Sequence, residues 1–160
     1  MSEDLHQPRF RRLGVAWLLM CCALVLHVMD EALTGFLAVY NPTVLALRAR
    51  IGFWPMPTFQ FREWLSALAI GILLLSLLSP FAFRNVQNVR PVFYFCAVVI
   101  GIFNSLGHTL ATIFGRTVDT VQFSRPAPGF YSSPLLFLAS IYLLVELRRT
   151  RRLPRNLSSK

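Results

Sequence analysis

Four apolar stretches, each close to the roughly 20 residues needed to cross about 30 Å of hydrocarbon, dominate this chain of 160 residues. They run about Leu13–Tyr40, Trp64–Phe83, Val92–Phe114 and Tyr131–Leu147. In a bilayer every backbone polar group must be satisfied within the protein, so such stretches fold as helices packed side by side. Composition agrees: 55% of the residues are hydrophobic and the mean hydropathy is +0.55, outside the usual range of a soluble domain. The expected fold is all-α, a single four-helix transmembrane bundle over residues 1–160, with a basic cytoplasmic tail at 148–160. The first stretch exceeds the required length, so it should tilt or project beyond the bilayer.

The net charge of +9 would suit a nucleic-acid partner, but four spans argue against one. The positive-inside rule accounts for it instead. With the N-terminus cytoplasmic, eleven of the sixteen Lys and Arg residues fall inside: Arg9, Arg11, Arg12, Arg84, Arg90, Arg148, Arg149, Arg151, Arg152, Arg155 and Lys160. Five fall outside, namely Arg48, Arg50, Arg62, Arg116 and Arg125. That bias predicts both termini inside and a multi-pass protein of a bacterial inner membrane, with membrane lipids as its surroundings. A cleaved signal peptide is disfavoured, because Met20 stands where the Leu19-Met20-Cys21-Cys22 echo of a lipoprotein box needs a small residue. Cys21, Cys22 and Cys96 all lie in apolar spans without CxxC spacing, and read as small packing residues.

The longest loop follows the first span. Asn41-Pro42 should break the helix, and Thr43–Phe53 should form a short amphipathic helix with Val44, Leu47 and Ile51 against Arg48 and Arg50. Trp54, Phe59, Phe61 and Trp64 suit the headgroup level. This loop reads as a surface connector, or more sharply as a lid.

The chemistry concentrates in LVLHVMDEALTGFLA, residues 24–38. At about 100° per residue, Glu31 lies roughly 40° from His27, and Asp30 roughly 60° to the other side with Thr34 between, so the four form one polar stripe. In the third span Asn104 and His108, four apart, share a face. Both spans run from inside to outside, and at about 1.5 Å per residue His27 and Asn104 lie ~21 and ~20 Å in, Glu31 and His108 ~27 and ~26 Å. The two stripes should therefore converge in the outer half of the membrane. Ionisable groups there mark functional sites by default. The plainer readings are histidines hydrogen-bonded within the bundle and acids paired with Arg116 or Arg125.

Two chemistries fit the set. His27, Glu31 and His108 could hold zinc or another first-row divalent ion with the fourth position open to water, and Asp30 or the remaining carboxylate could act as general base. Without a metal, a histidine–carboxylate pair could relay protons or bind a polar headgroup. At these residues the sequence resembles the HXXEE family of small integral membrane proteins. The match is His27-Val28-Met29-Asp30-Glu31, with Asp in place of the first Glu, and it continues through Asn104-xxx-His108 and Pro128-Gly129 ahead of the fourth apolar helix. The resemblance implies that the polar set is a family signature, as an enzyme or binding site would be. Asp30, Glu31 and Asn104 are the candidate catalytic residues. The leading expectation is a metal-dependent hydrolase acting on a lipid-like substrate. Its rivals are a non-catalytic carrier or binding protein for a small polar or lipid ligand, and a structural subunit. Pro128-Gly129 reads as a turn before a span, or as a backbone wall of the site. Arg125 nearby could neutralise an anionic headgroup or pair with Asp119.

Overall fold

The computed structural model describes residues 7–151, with side chains from Arg11 onward. The polar start of the chain and the basic tail from residue 152 on lie outside the described residues. What is described is mostly helical. Helix α1 covers Gln7–Thr34, α2 Phe36–Ile51, α3 Phe61–Ser76 and the short α4 Ser79–Phe83. A 3-10 turn at Gln87–Val89 leads into α5, Arg90–Phe95, a π-helical segment at Cys96–Phe103, and α6, Asn104–Phe114. A two-stranded antiparallel hairpin, β1 Arg116–Val118 with β2 Val121–Gln122, precedes α7, Ser133–Arg151.

Three helical stretches are long and apolar enough to cross a membrane among the described residues: Arg11–Thr34, Phe61–Phe83 and Gln87–Phe114. The fourth expected span corresponds to α7, which differs in kind. Its charge-free run stops at Val145, before Glu146, Arg148, Arg149 and Arg151. At about 1.5 Å per residue that run covers roughly 20 Å, short of the roughly 30 Å of hydrocarbon. Helix α7 is also the most enclosed partner of α1. Leu136, Leu143 and Leu147 from α7 meet Leu13, Trp17, Met20 and Leu24 from α1 in the buried core, with Phe93, Cys96 and Ala97 closing it. The Trp17 and Phe93 rings lie 4.4 Å apart, and the Trp17 indole N–H donates to the Leu75 carbonyl at 3.1 Å. Burying Trp is favourable only when that N–H finds an acceptor. Cys21 and Cys96 are buried, Cys22 is exposed, and all three are free thiols.

The first helix ends earlier than expected. The break falls at Gly35, with φ 79°, a left-handed conformation that glycine adopts without a Cβ penalty. Pro42 does not break the chain but sits inside α2. Asn41 explains how that is tolerated: its side chain donates to the Phe59 carbonyl at 2.9 Å and accepts from the Phe59 N–H at 3.0 Å. The Tyr40 hydroxyl reaches the Pro57 carbonyl at 3.0 Å, and Arg48 the Met56 carbonyl at 2.6 Å. These bonds strap the following loop along α2 and offset the one helical bond that proline removes.

Candidate metal centre

Helix α1 carries His27, Asp30 and Glu31 near its C-terminal end, just before the turn at Gly35. His27 is fully enclosed, at 0% exposure, and Glu31 is 5% exposed. From α6 comes His108, 7% exposed. The two stripes meet. The His27 and His108 rings stand edge to face with centroids 4.8 Å apart. Both Nε2 atoms face one carboxylate oxygen: Glu31 Oε1 lies 3.1 Å from His108 Nε2 and 3.6 Å from His27 Nε2. One donor atom from each of the three residues lies within 4.8 Å of the others. Enclosing a carboxylate in apolar surroundings is costly unless it is paired. Among the described residues the basic group within hydrogen-bond distance of Glu31 is the His108 imidazole, with His27 Nε2 next nearest at 3.6 Å. Arg116 is engaged elsewhere, with Asp119 at 3.0 Å.

Asp30 and Asn104 take different places. The Asp30 carboxylate turns to the start of α7, where Oδ2 accepts both the Ser132 backbone N–H and the Ser132 hydroxyl at 2.8 Å. Ser132 Oγ also lies 2.8 Å from His27 Nδ1. A hydroxyl has one hydrogen, and the bond to a carboxylate outweighs the longer 3.3 Å contact with the Gly129 carbonyl. Ser132 therefore donates to Asp30 and accepts from His27 Nδ1–H. That fixes the imidazole tautomer and leaves Nε2 unprotonated, an acceptor 3.6 Å from Glu31 Oε1. Asn104 Nδ2 sits 2.8 Å from this Nε2. Ser132 escaped the sequence reading because a serine before an apolar helix normally bonds its own backbone. Its signal was its place three residues after Pro128-Gly129.

Gly129 forms the remaining wall. Its φ is +81°, and a Cβ there would lie 2.8 Å from His108 Cε1 and 3.0 Å from Glu31 Cγ. Only a residue without a side chain fits both the turn and the neighbours. Its N–H donates to Thr34 Oγ1 at 3.2 Å, and its carbonyl accepts from Ser133 Oγ at 2.7 Å. Thr112, one turn after His108, accepts the Ala127 N–H at 3.0 Å and so ties the loop before α7 to α6. Beside His108 lies a cleft of about 260 Å³, lined by α2, α6 and the loop before α7, with Asn104 among its lining residues.

The donor set passes a chemical test for a divalent ion. Two imidazole nitrogens and one carboxylate oxygen are the three-ligand set of catalytic zinc, which keeps a fourth position open. The Asp30–Ser132 bonds behind His27 are the kind of outer support that orients a ligating imidazole. His27, Glu31 and His108 could hold such an ion. No protein-family model matches the chain, and no curated protein and no solved structure matches it.

Proposed function

We propose that the protein is a metal-dependent hydrolase of a bacterial inner membrane, a four-helix N-in/C-in bundle whose His27, Glu31 and His108 bind a divalent ion such as zinc near the outer surface. One observation carries this reading: histidines from two helices bring Nε2 within 3.6 Å of the same buried carboxylate oxygen. A bound ion would lower the pKa of its water and polarise a substrate carbonyl. Glu31 contributes the negative charge that favours a cation there. Asn104, touching His27 on one side and the cleft on the other, offers an N–H to an oxygen gaining charge in the transition state. Asp30 acts through Ser132 as a positioning residue, because its Oδ2 is committed to that serine. The substrate is lipid-like, since the site adjoins apolar surface and a cleft with few polar groups.

Membership of the HXXEE-motif proteins belongs to the same proposal. It is supported by His27, Asp30-Glu31, Asn104, His108 and Pro128-Gly129 gathering at one place. A second reading, a non-catalytic carrier or binding protein, is favoured by the Asn104 amide on the His27 lone pair, which satisfies that nitrogen without a metal. No nucleic-acid partner is part of either reading. Metal content of the purified, zinc-reconstituted protein separates them. The wild type should hold about one ion per chain, and His27→Ala, Glu31→Gln and His108→Ala should each lose it. Occupancy should fall on acidification, because ligation requires neutral imidazole and ionised carboxylate. A wild type without stoichiometric metal after reconstitution would end the hydrolase proposal and leave the binding protein.

A further inference from the structure

The cleft beside His108 is apolar along its length and polar at one end. Phe36 and Val39 of α2, Phe103 and Ala111 of the third apolar stretch, and Phe123 of the outer loop form its walls, and its charge-bearing lining is limited to His108. The Thr117 hydroxyl is engaged with that of Thr43 at 2.5 Å, and Asn104 gives one of its two amide N–H groups to His27 at 2.8 Å, which leaves the other for a polar group at that end. A sugar or phosphate placed along these walls would lose its water without replacement, whereas each methylene placed there leaves water favourably. The open side is flanked by Phe103, which is 62% exposed, and by exposed Gly107. Both belong to the span-length stretch Gln87–Phe114. A Cβ added at Gly107 would meet nothing within 4 Å. Gly107 and Ala111, one turn apart on α6, thus keep the cleft wide by contributing almost no side chain.

We propose that this cleft seats one acyl chain of a membrane lipid, which enters sideways from the bilayer past Phe103 and presents its polar end to Asn104 and His108. Gly107 and Ala111 set the width available to the chain. The seat identifies the lipid-like substrate of the hydrolase reading and rests on that reading for its catalytic meaning, but lipid occupancy can be read independently of metal. The full-length protein is reconstituted into vesicles of phosphatidylcholine carrying a diazirine on one acyl chain, irradiated, and its adducts are mapped by mass spectrometry. Adducts should be enriched at Phe103, Ala111 and Phe123 over the exposed Leu73 and Leu74 of α3, which serve as the reference for ordinary lipid contact. Gly107→Leu, and Ala111→Leu as an independent variant, should abolish the enrichment while metal content and α3 labelling stay at wild-type levels. Labelling that simply follows exposure, or that survives both substitutions in folded protein, would overturn the seat. Enriched labelling in a wild type that binds no metal would uphold the seat and remove the metalloenzyme.

Discussion

Ser132 governs the chemistry of His27 without being a ligand itself. It stands between Asp30 Oδ2 and His27 Nδ1, 2.8 Å from each, so it transmits the carboxylate's charge to the imidazole and holds the ring in one orientation. Outer partners of this kind are worth about 10–100-fold in metal affinity. Ser132→Ala should therefore weaken zinc binding by about that factor in a chelator competition, whereas Ser132→Thr, which keeps the hydroxyl, should stay near wild type. Asp30→Asn should fall on the same side as Ser132→Ala if Asp30 acts through the serine. Equal affinities for Ser132→Ala and wild type would show that the hydrogen bond only fills space.

Among the helices, the division between α1 and α2 determines where the site sits. Because the break comes at Gly35 rather than at Asn41-Pro42, Phe36 lies beside His108, with ring centroids 5.9 Å apart and planes tilted by 53°. It also stacks on Trp64, at 5.7 Å. Pro42 then lies where a helical N–H is wanted. Pro42→Ala should raise the melting temperature, since a proline in a helix interior costs about 3 kcal/mol before local compensation. Asn41→Ala should do the reverse by about 1–3 kcal/mol, because it unpairs both backbone groups of Phe59. Hydrogen exchange of the Phe59 amide would report that loss directly. A destabilised Pro42→Ala would mean that proline shapes α2 rather than being accommodated by it. The π-helical segment before Asn104 belongs here too, since such segments recur at functional sites.

Across the molecule, topology is the assumption on which the outer position of the site depends. With both termini inside, a reporter fused at Lys160 should read cytoplasmic and one placed near Ile51 should read periplasmic. Helix α7 makes this a sharper test than the charge count suggests. Its uncharged run is short, and its buried Glu146 pairs with Arg149 at 2.8 Å. The Arg90 guanidinium donates to the Leu147 carbonyl and, at 2.8 Å, to Asn85 Oδ1. Glu146 and Arg90 are thus held by internal partners at the end of the bundle opposite His27. A Lys160 fusion reporting the outer side would show that α7 does not cross, and the site's depth would have to be assigned anew.

Much of this was legible in the residue order. Apolar run lengths located α1, the Phe61–Phe83 stretch and the Gln87–Phe114 stretch, and helical spacing placed His27 with Glu31 and Asn104 with His108. Equal depth in two parallel spans implied that the stripes meet, and Glu31 and His108 do, at 3.1 Å. These are consequences of a fixed rise and turn per residue, which a sequence carries locally. Which way Asp30 faces was not legible, since it lies roughly 60° from His27 and could join either side of the stripe. The packing of α7 against α1 decided it by bringing Ser132 within reach of both Asp30 and His27. Packing also made Gly129 a wall of the site, opened the cleft over Gly107, and moved the helix break from Asn41-Pro42 to Gly35. Local rules say what a residue permits; contacts between residues a hundred positions apart choose among the permitted states, as His27 and Ser132 do across a separation of 105.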